Sequence, residues 1–169
     1  MPGASTPPDL DAQRILRALV ERGTDFVVIG GIATVLHGSS RNTFDLDISF
    51  AVDPQNLEAL GEVLLSLGAR LRGVPEDVPF VPDAATLRKV EVLTLDTVAG
   101  RFDVLARPAG AGSYSELRRT AERFDVGDFV VLVASIPSLI AMKRAAGRPK
   151  DLADIAELEA IQRLRAQIR

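Results

Sequence analysis

The sequence predicts one α/β (α+β) domain in which helices flank a mixed sheet, and three observations lead there. Apolar runs of strand length interleave with segments of helical periodicity along the chain. No internal repeat or linker divides it. A chain of 169 residues, 47% of them hydrophobic and 25% charged, is long enough for one core and short for two. Residues 1–8, with neither a basic residue nor an apolar stretch, read as a disordered lead rather than a signal peptide. The domain takes 9–169.

Asp9 or Asp11 caps a first helix in which Ala12, Ile15, Leu16, Leu19 and Val20 recur at helical spacing, and Gly23 stops it. Asp25 to Ile29 reads as a short buried strand. Gly30 and Gly31 break it before a helical segment, Ile32 to His37, closed by Gly38. From Phe44 to Val52 the pattern alternates: Phe44, Leu46, Ile48, Phe50 and Val52 share a packed face, and Asp45, Asp47, Ser49 and Ala51 an open acidic one.

Asp53 and Pro54 open a helix that runs to about Leu67, with Gly68 as its stop, and loop signals fill Gly73 to Pro82. Val90 to Leu95 and Arg101 to Ala106 form a hairpin around Gly100. A short helix from Ser113 to about Glu122 leads to an apolar run, Phe129 to Ala134. Ser135 and Pro137 start a helix through Lys143, and Gly147-Arg-Pro149 separates it from a last amphipathic helix beginning at Lys150.

Composition excludes several chemistries. With no cysteine and a single histidine, His37, thiolate zinc sites, disulfide scaffolds and cysteine nucleophiles are out. Any metal must be held by carboxylate oxygen, which points to magnesium or manganese. No apolar stretch reaches the roughly 20 residues that span a bilayer, so a cytoplasmic protein without a membrane partner is expected. A net charge of -3 supplies no global basic field for nucleic acid, although a local patch stays open.

Asp45 and Asp47, two apart on one strand, point the same way with Cα atoms about 6.5 to 7 Å apart. Asp103 alternates with Phe102 and Val104 in the same fashion, so a hairpin strand lying beside the first would bring three carboxylates together. Their mutual repulsion calls for a divalent cation. The alternative is that acids on an open strand face are simply solvated. Gly30 and Gly31, between strand and helix, can present backbone N–H groups to a phosphate, or merely make a tight turn. Lys143 near a helix C-terminus, and Asp151 and Asp154 in a first helical turn, also suit the helix dipole without any ligand. His37 reads as a packing or capping residue, and Arg118, Arg119 and Arg123 as a solvated face.

Two segments carry a resemblance. Gly30-Gly-Ile-Ala-Thr-Val-Leu-His-Gly38, followed by Arg41-Asn-Thr-Phe-Asp-Leu-Asp-Ile48, resembles the signature of the DNA-polymerase-β-like nucleotidyltransferase superfamily, and within it the AbiE-type toxin nucleotidyltransferases. Leu139-Ile-Ala-Met-Lys-Arg-Ala-Ala-Gly-Arg-Pro-Lys-Asp-Leu-Ala-Asp154 resembles that family's later motifs. With Asp103 included, the likeness runs from about Asp25 to Leu158.

The resemblance implies a nucleotidyltransferase fold and transfer of a nucleoside monophosphate from a nucleoside triphosphate, ATP among them, to an acceptor hydroxyl. Gly30 and Gly31 would contact the triphosphate, and Asp45 and Asp47 would bind magnesium or manganese. Asp103 would be the third acid, assisting deprotonation of the acceptor. Lys143 would contact nucleotide phosphate, with Arg148, Lys150 and Asp151 at the site's edge and Arg41 a phosphate or structural contact. The implied acceptors are a tRNA 3′ end, a protein hydroxyl or a small molecule, and the implied partner is a cognate antitoxin. The glycine pair departs from the family in lacking a following serine, and no counterpart of the longer toxins' helical C-terminal domain is present in the sequence. Rival readings are an inactive interaction module and an antitoxin-like minimal nucleotidyltransferase that modifies a partner protein.

Overall fold

The computed structural model describes residues 6–169, so the first five residues of the expected lead lie outside the described residues. The strands are β1 (Phe26–Ile29), β2 (Asp45–Phe50), β3 (Arg70–Leu71), β4 (Val92–Thr97), β5 (Gly100–Leu105), β6 (Glu122–Val126) and β7 (Phe129–Val133). They form one mixed sheet in the order β3-β4-β5-β2-β1-β7-β6. The helices are α1 (Ala12–Arg22), α2 (Gly30–Leu36), α3 (Pro54–Ser66), α4 (Ala84–Lys89), α5 (Tyr114–Thr120), α6 (Ile136–Ala146) and α7 (Asp151–Ile168).

Local chemistry sets the boundaries. The Asp11 side chain accepts the Arg14 amide at 3.0 Å to start α1, and Gly23 ends it in the left-handed region. Asp53 caps α3 in the same way through the Asn56 amide. The Asn56 side chain then binds the Asp25 amide and the Asp25 and Ala51 carbonyls. One residue thereby closes the corner where β1, β2 and α3 meet. Ser113 and Glu116 complete a reciprocal cap on α5.

The central pairing that matters for function is β2 parallel to β5, with β1 antiparallel on the other side of β2. Leu46, Ile48, Phe50 and Phe102 are wholly buried, and Val104 nearly so. Each such side chain contributes about 1.5 to 3 kcal/mol by leaving water. α1 packs against α3, α2 lies on β1 and β2, and α6 joins α2 to α7.

Several expectations need correction. Phe44 and Val52 do not share the packed face: they flank β2 rather than belong to it, and are 74% and 50% exposed. The opposite face is not open throughout either, because Ser49 is fully buried. Gly30 and Gly31 do not precede α2 but form its first turn. The helix expected to reach Glu122 stops at Thr120, and Glu122 begins β6. β3 and α4 were not anticipated, since two residues carry no periodicity and α4 follows a proline-rich loop. Among the described residues no helix is long and apolar enough to cross a membrane.

Candidate active site

The parallel register of β2 and β5 sets Asp47 directly beside Asp103 and Asp45 beside Arg101. Since Leu46, Ile48, Phe102 and Val104 take the core side, all three aspartates emerge on the other face. Asp47 bears the consequence. Burial, reinforced by the negative charges of Asp103 and Asp45, pushes its carboxyl up to about 7. Burial also raises Asp103, restrained by the guanidinium of Arg72. Asp45 Oδ1 is buried without a hydrogen-bond partner.

Among the described residues, no three acidic side chains form a closed ligand set as they stand. The third acid is drawn aside: Arg72 Nη2 donates to Asp103 Oδ1 at 2.9 Å, while Arg72 Nε donates to Asp96 Oδ1 at 3.2 Å. The donor set still fits a hard divalent cation. It consists of carboxylate oxygens, one of them an orphan, around a carboxyl whose ionisation is opposed by like charge.

α2 starts directly against this face. Gly30 has φ +69°, and a Cβ there would come within 2.1 Å of Asp47 Oδ2. At Gly31 a Cβ would meet Thr43 Oγ1 at 2.5 Å. Only glycine lets the backbone approach the carboxylate this closely.

The later motif folds into a second charged cluster. Lys143 Nζ binds Asp154 Oδ2 at 2.9 Å and lies 3.8 Å from Asp151 Oδ1. Arg41 pairs with the same Asp154 oxygen, and Arg148 grips Asp151 with two hydrogen bonds of 2.8 and 3.2 Å. Both aspartates are buried, and their cationic partners hold both carboxyls below the usual range against the penalty of burial. Arg148 also feels the charge of Asp47, which ties this cluster to the first.

Of the ten residues singled out from the sequence, Gly30, Gly31, Asp45, Asp47 and Asp103 gather on the sheet face. Arg41, Lys143, Arg148 and Asp151 gather in the cluster beside it. Lys150 stands apart, exposed at the N-cap of α7. Sequence reasoning passed over Arg72 and Asp96. It weighed Asp154 only as a first-turn acid, although Asp154 is the shared partner of two cations; the i, i+3 spacing of Asp151 and Asp154 on one helix face was the available signal.

His37 is structural. Its buried ring donates from Nε2 to the Ala134 carbonyl at 2.8 Å, accepts from Arg165 at Nδ1 at 3.0 Å and stacks edge-on against Phe124. Burial lowers its pKa, so the ring is neutral. Arg118 donates to Asp25 across 3.0 Å. Two cavities, of about 340 and 280 Å³, lie under the 74–80 loop and beside α3, away from the carboxylates.

Comparison with known proteins bears on the fold and the family. The fold is that of lincosamide antibiotic adenylyltransferase LnuA, whose lincomycin-bound crystal structure is 15% identical and superposes with a TM-score of 0.59 over 91% of this chain and 99% of the other. The antibiotic-resistance factor ANT(2″)-Ia in solution is 17% identical, with a TM-score of 0.56 over 92% and 88%. Its crystal structure with adenylyl-2″-tobramycin is 18% identical, with a TM-score of 0.54 over 90% and 91%. No curated protein sequence matches with significance. Residues 14–168, however, match the family model described as nucleotidyl transferase AbiEii toxin, type IV toxin–antitoxin system. That match covers both charged clusters, and the chain belongs to the AbiEii nucleotidyltransferase toxin family.

Proposed function

We propose that this nucleotidyltransferase moves a nucleoside monophosphate from a nucleoside triphosphate to an acceptor hydroxyl on a tRNA 3′ end or a protein, the hydroxyl oxygen bonding to the α-phosphorus as pyrophosphate leaves, as the toxin of a toxin–antitoxin pair. The observation that carries the reading is the in-register pairing of Asp47 with Asp103, with Asp45 on the same face and Gly30 against it. Asp45 and Asp47, with Asp103 as the third acid, would hold magnesium or manganese; when bound, the metal neutralises charge on the transferring phosphoryl group.

The chain's own groups do the rest. Gly30 and Gly31 offer backbone N–H groups to the triphosphate. Lys143 and Arg148 supply positive charge to its phosphates, oriented by Asp154 and Asp151, and Arg41 braces that cluster. Asp103, lifted by burial, accepts the proton of the attacking hydroxyl. The family model is that of the toxin, which favours this role over the antitoxin-like one.

The test is magnesium-dependent label transfer from each of four α-labelled nucleoside triphosphates into total tRNA and into protein. The wild type should label one acceptor class, and the Asp45→Ala plus Asp47→Ala variant none. Absence of both transfer and nucleotide binding in the wild type would leave an interaction module as the remaining reading.

A further inference from the structure

Arg72 follows the two-residue edge strand β3, outside every motif that marks the site. Its guanidinium is nonetheless fixed at three points. Nη2 donates to Asp103 Oδ1 and to the Leu95 carbonyl, each at 2.9 Å, and Nε donates to Asp96 Oδ1 at 3.2 Å. Its backbone amide donates to the Thr94 carbonyl at 2.9 Å. Thr94 stands opposite Asp103 in the β4–β5 register, so side chain and backbone are anchored on the strand next to the acid they serve. An ion pair between long exposed side chains is loosely held; one with a second carboxylate and a carbonyl as fixed anchors is not.

We propose that Arg72 is a positioning residue of the transfer reaction. It holds Asp103 in place and supplies the carboxylate face with a fixed positive charge, so that without nucleotide the face takes a single divalent cation through Asp45 and Asp47. The inference rests on the reading of Asp45, Asp47 and Asp103 as the reaction's carboxylates. The guanidinium, shared between Asp103 and Asp96, offsets only part of the negative charge of Asp45, Asp47 and Asp103, and a divalent ion held by Asp45 and Asp47 offsets more of it. A guanidinium also suits the task better than an ammonium, because its planar fork fixes direction as well as charge.

The experiment uses the full chain without nucleotide, titrated with Mn²⁺ and read by the electron paramagnetic resonance of the free ion. The wild type should bind one Mn²⁺. Arg72→Met should bind it roughly tenfold more tightly and take up a second ion, because a cation beside the ligands has been removed. Arg72→Lys, which keeps the charge and guards against a folding failure in Arg72→Met, should retain wild-type Mn²⁺ affinity. In turnover both variants should lose kcat by roughly 10- to 100-fold with little change in KM for the nucleotide. Either variant combined with Asp103→Asn should cost nothing further in kcat. Unchanged or weaker Mn²⁺ binding in Arg72→Met, or an additive loss in the double variant, overturns the proposal. A wild type that binds Mn²⁺ and transfers no label sinks the acceptor reading, while the Mn²⁺ titration still decides for or against Arg72.

Discussion

The molecule holds two groups of aspartates side by side, and they are solved in opposite ways. On the sheet face, Asp45 and Asp47 confront Asp103 with Arg72 as a partial remedy, and Asp47 is pushed up to about 7. At the start of α7, Asp151 and Asp154 are still more buried, yet Lys143, Arg41 and Arg148 surround them and their carboxyls are lowered. Burial alone does not distinguish a ligand from a strut; the sign of the neighbouring charge does. The first group leaves negative charge unbalanced, as the proposed metal site requires, and the second balances its charge internally, as the proposed phosphate contact requires.

The sharpest way to break this contrast is to delete one acid from each group. Asp45→Ala plus Asp47→Ala should lower transfer by about a thousandfold or more while leaving the metal-free protein as stable as before or more so, because like-charge repulsion is relieved. Label transfer and thermal melting on the same samples check both halves. Asp154→Ala should instead cost stability, about 3 kcal/mol in urea unfolding, because Lys143 and Arg41 lose their shared carboxylate and Lys143 keeps only Asp151 at 3.8 Å. A stable Asp154→Ala protein would show that the second cluster is not a strut.

Gly30→Ala tests the close approach of the α2 backbone to Asp47. The left-handed backbone alone costs about 1 kcal/mol, and the clash with Asp47 adds a loss of activity larger than the loss of stability. Gly31→Ala, which meets the Thr43 side chain on a backbone without positive φ, should be milder in melting temperature. The remaining effect is on pH dependence. Asp47 has a folded pKa above its unfolded one, so the metal-free fold holds a proton that the unfolded chain releases; stability present at low pH is lost as pH rises from about 4 toward 7. Melting temperature without metal should fall across that window, and magnesium should raise it more at the alkaline end.

The acidic strand was legible because the alternation of Leu46, Ile48 and Phe50 with Asp45 and Asp47 is long enough to fix the faces, and Asp103 sits in a similar pattern. The caps at Asp11, Asp53, Ser113 and Ser135 are local chemistry and were readable for that reason. What escaped depends on partners far along the chain. Arg72 acquires its role from Asp96 and Asp103, 24 and 31 residues away, and nothing in its own surroundings announces it. β6, with Glu122, Arg123 and Asp125 around Phe124 and Val126, becomes a strand through its pairing with β7 and reads at its start as the tail of a helix. Phe44 and Val52 extend the alternation beyond the point where the sheet partners end.

The pairing of β2 with β5 also acts as a proofreading device. A slip of one residue in β2 would turn Asp45 and Asp47 into the core beside Phe102 and Val104 and expose Leu46 and Ile48, and a slip in β5 would bury Asp103 beside Leu46 and Ile48 and expose Phe102 and Val104. A misaligned sheet would therefore carry an unpaired carboxylate in its core and collapse before it could persist. The residues that make the site chemically demanding thus also eliminate the folded forms in which it would be misassembled.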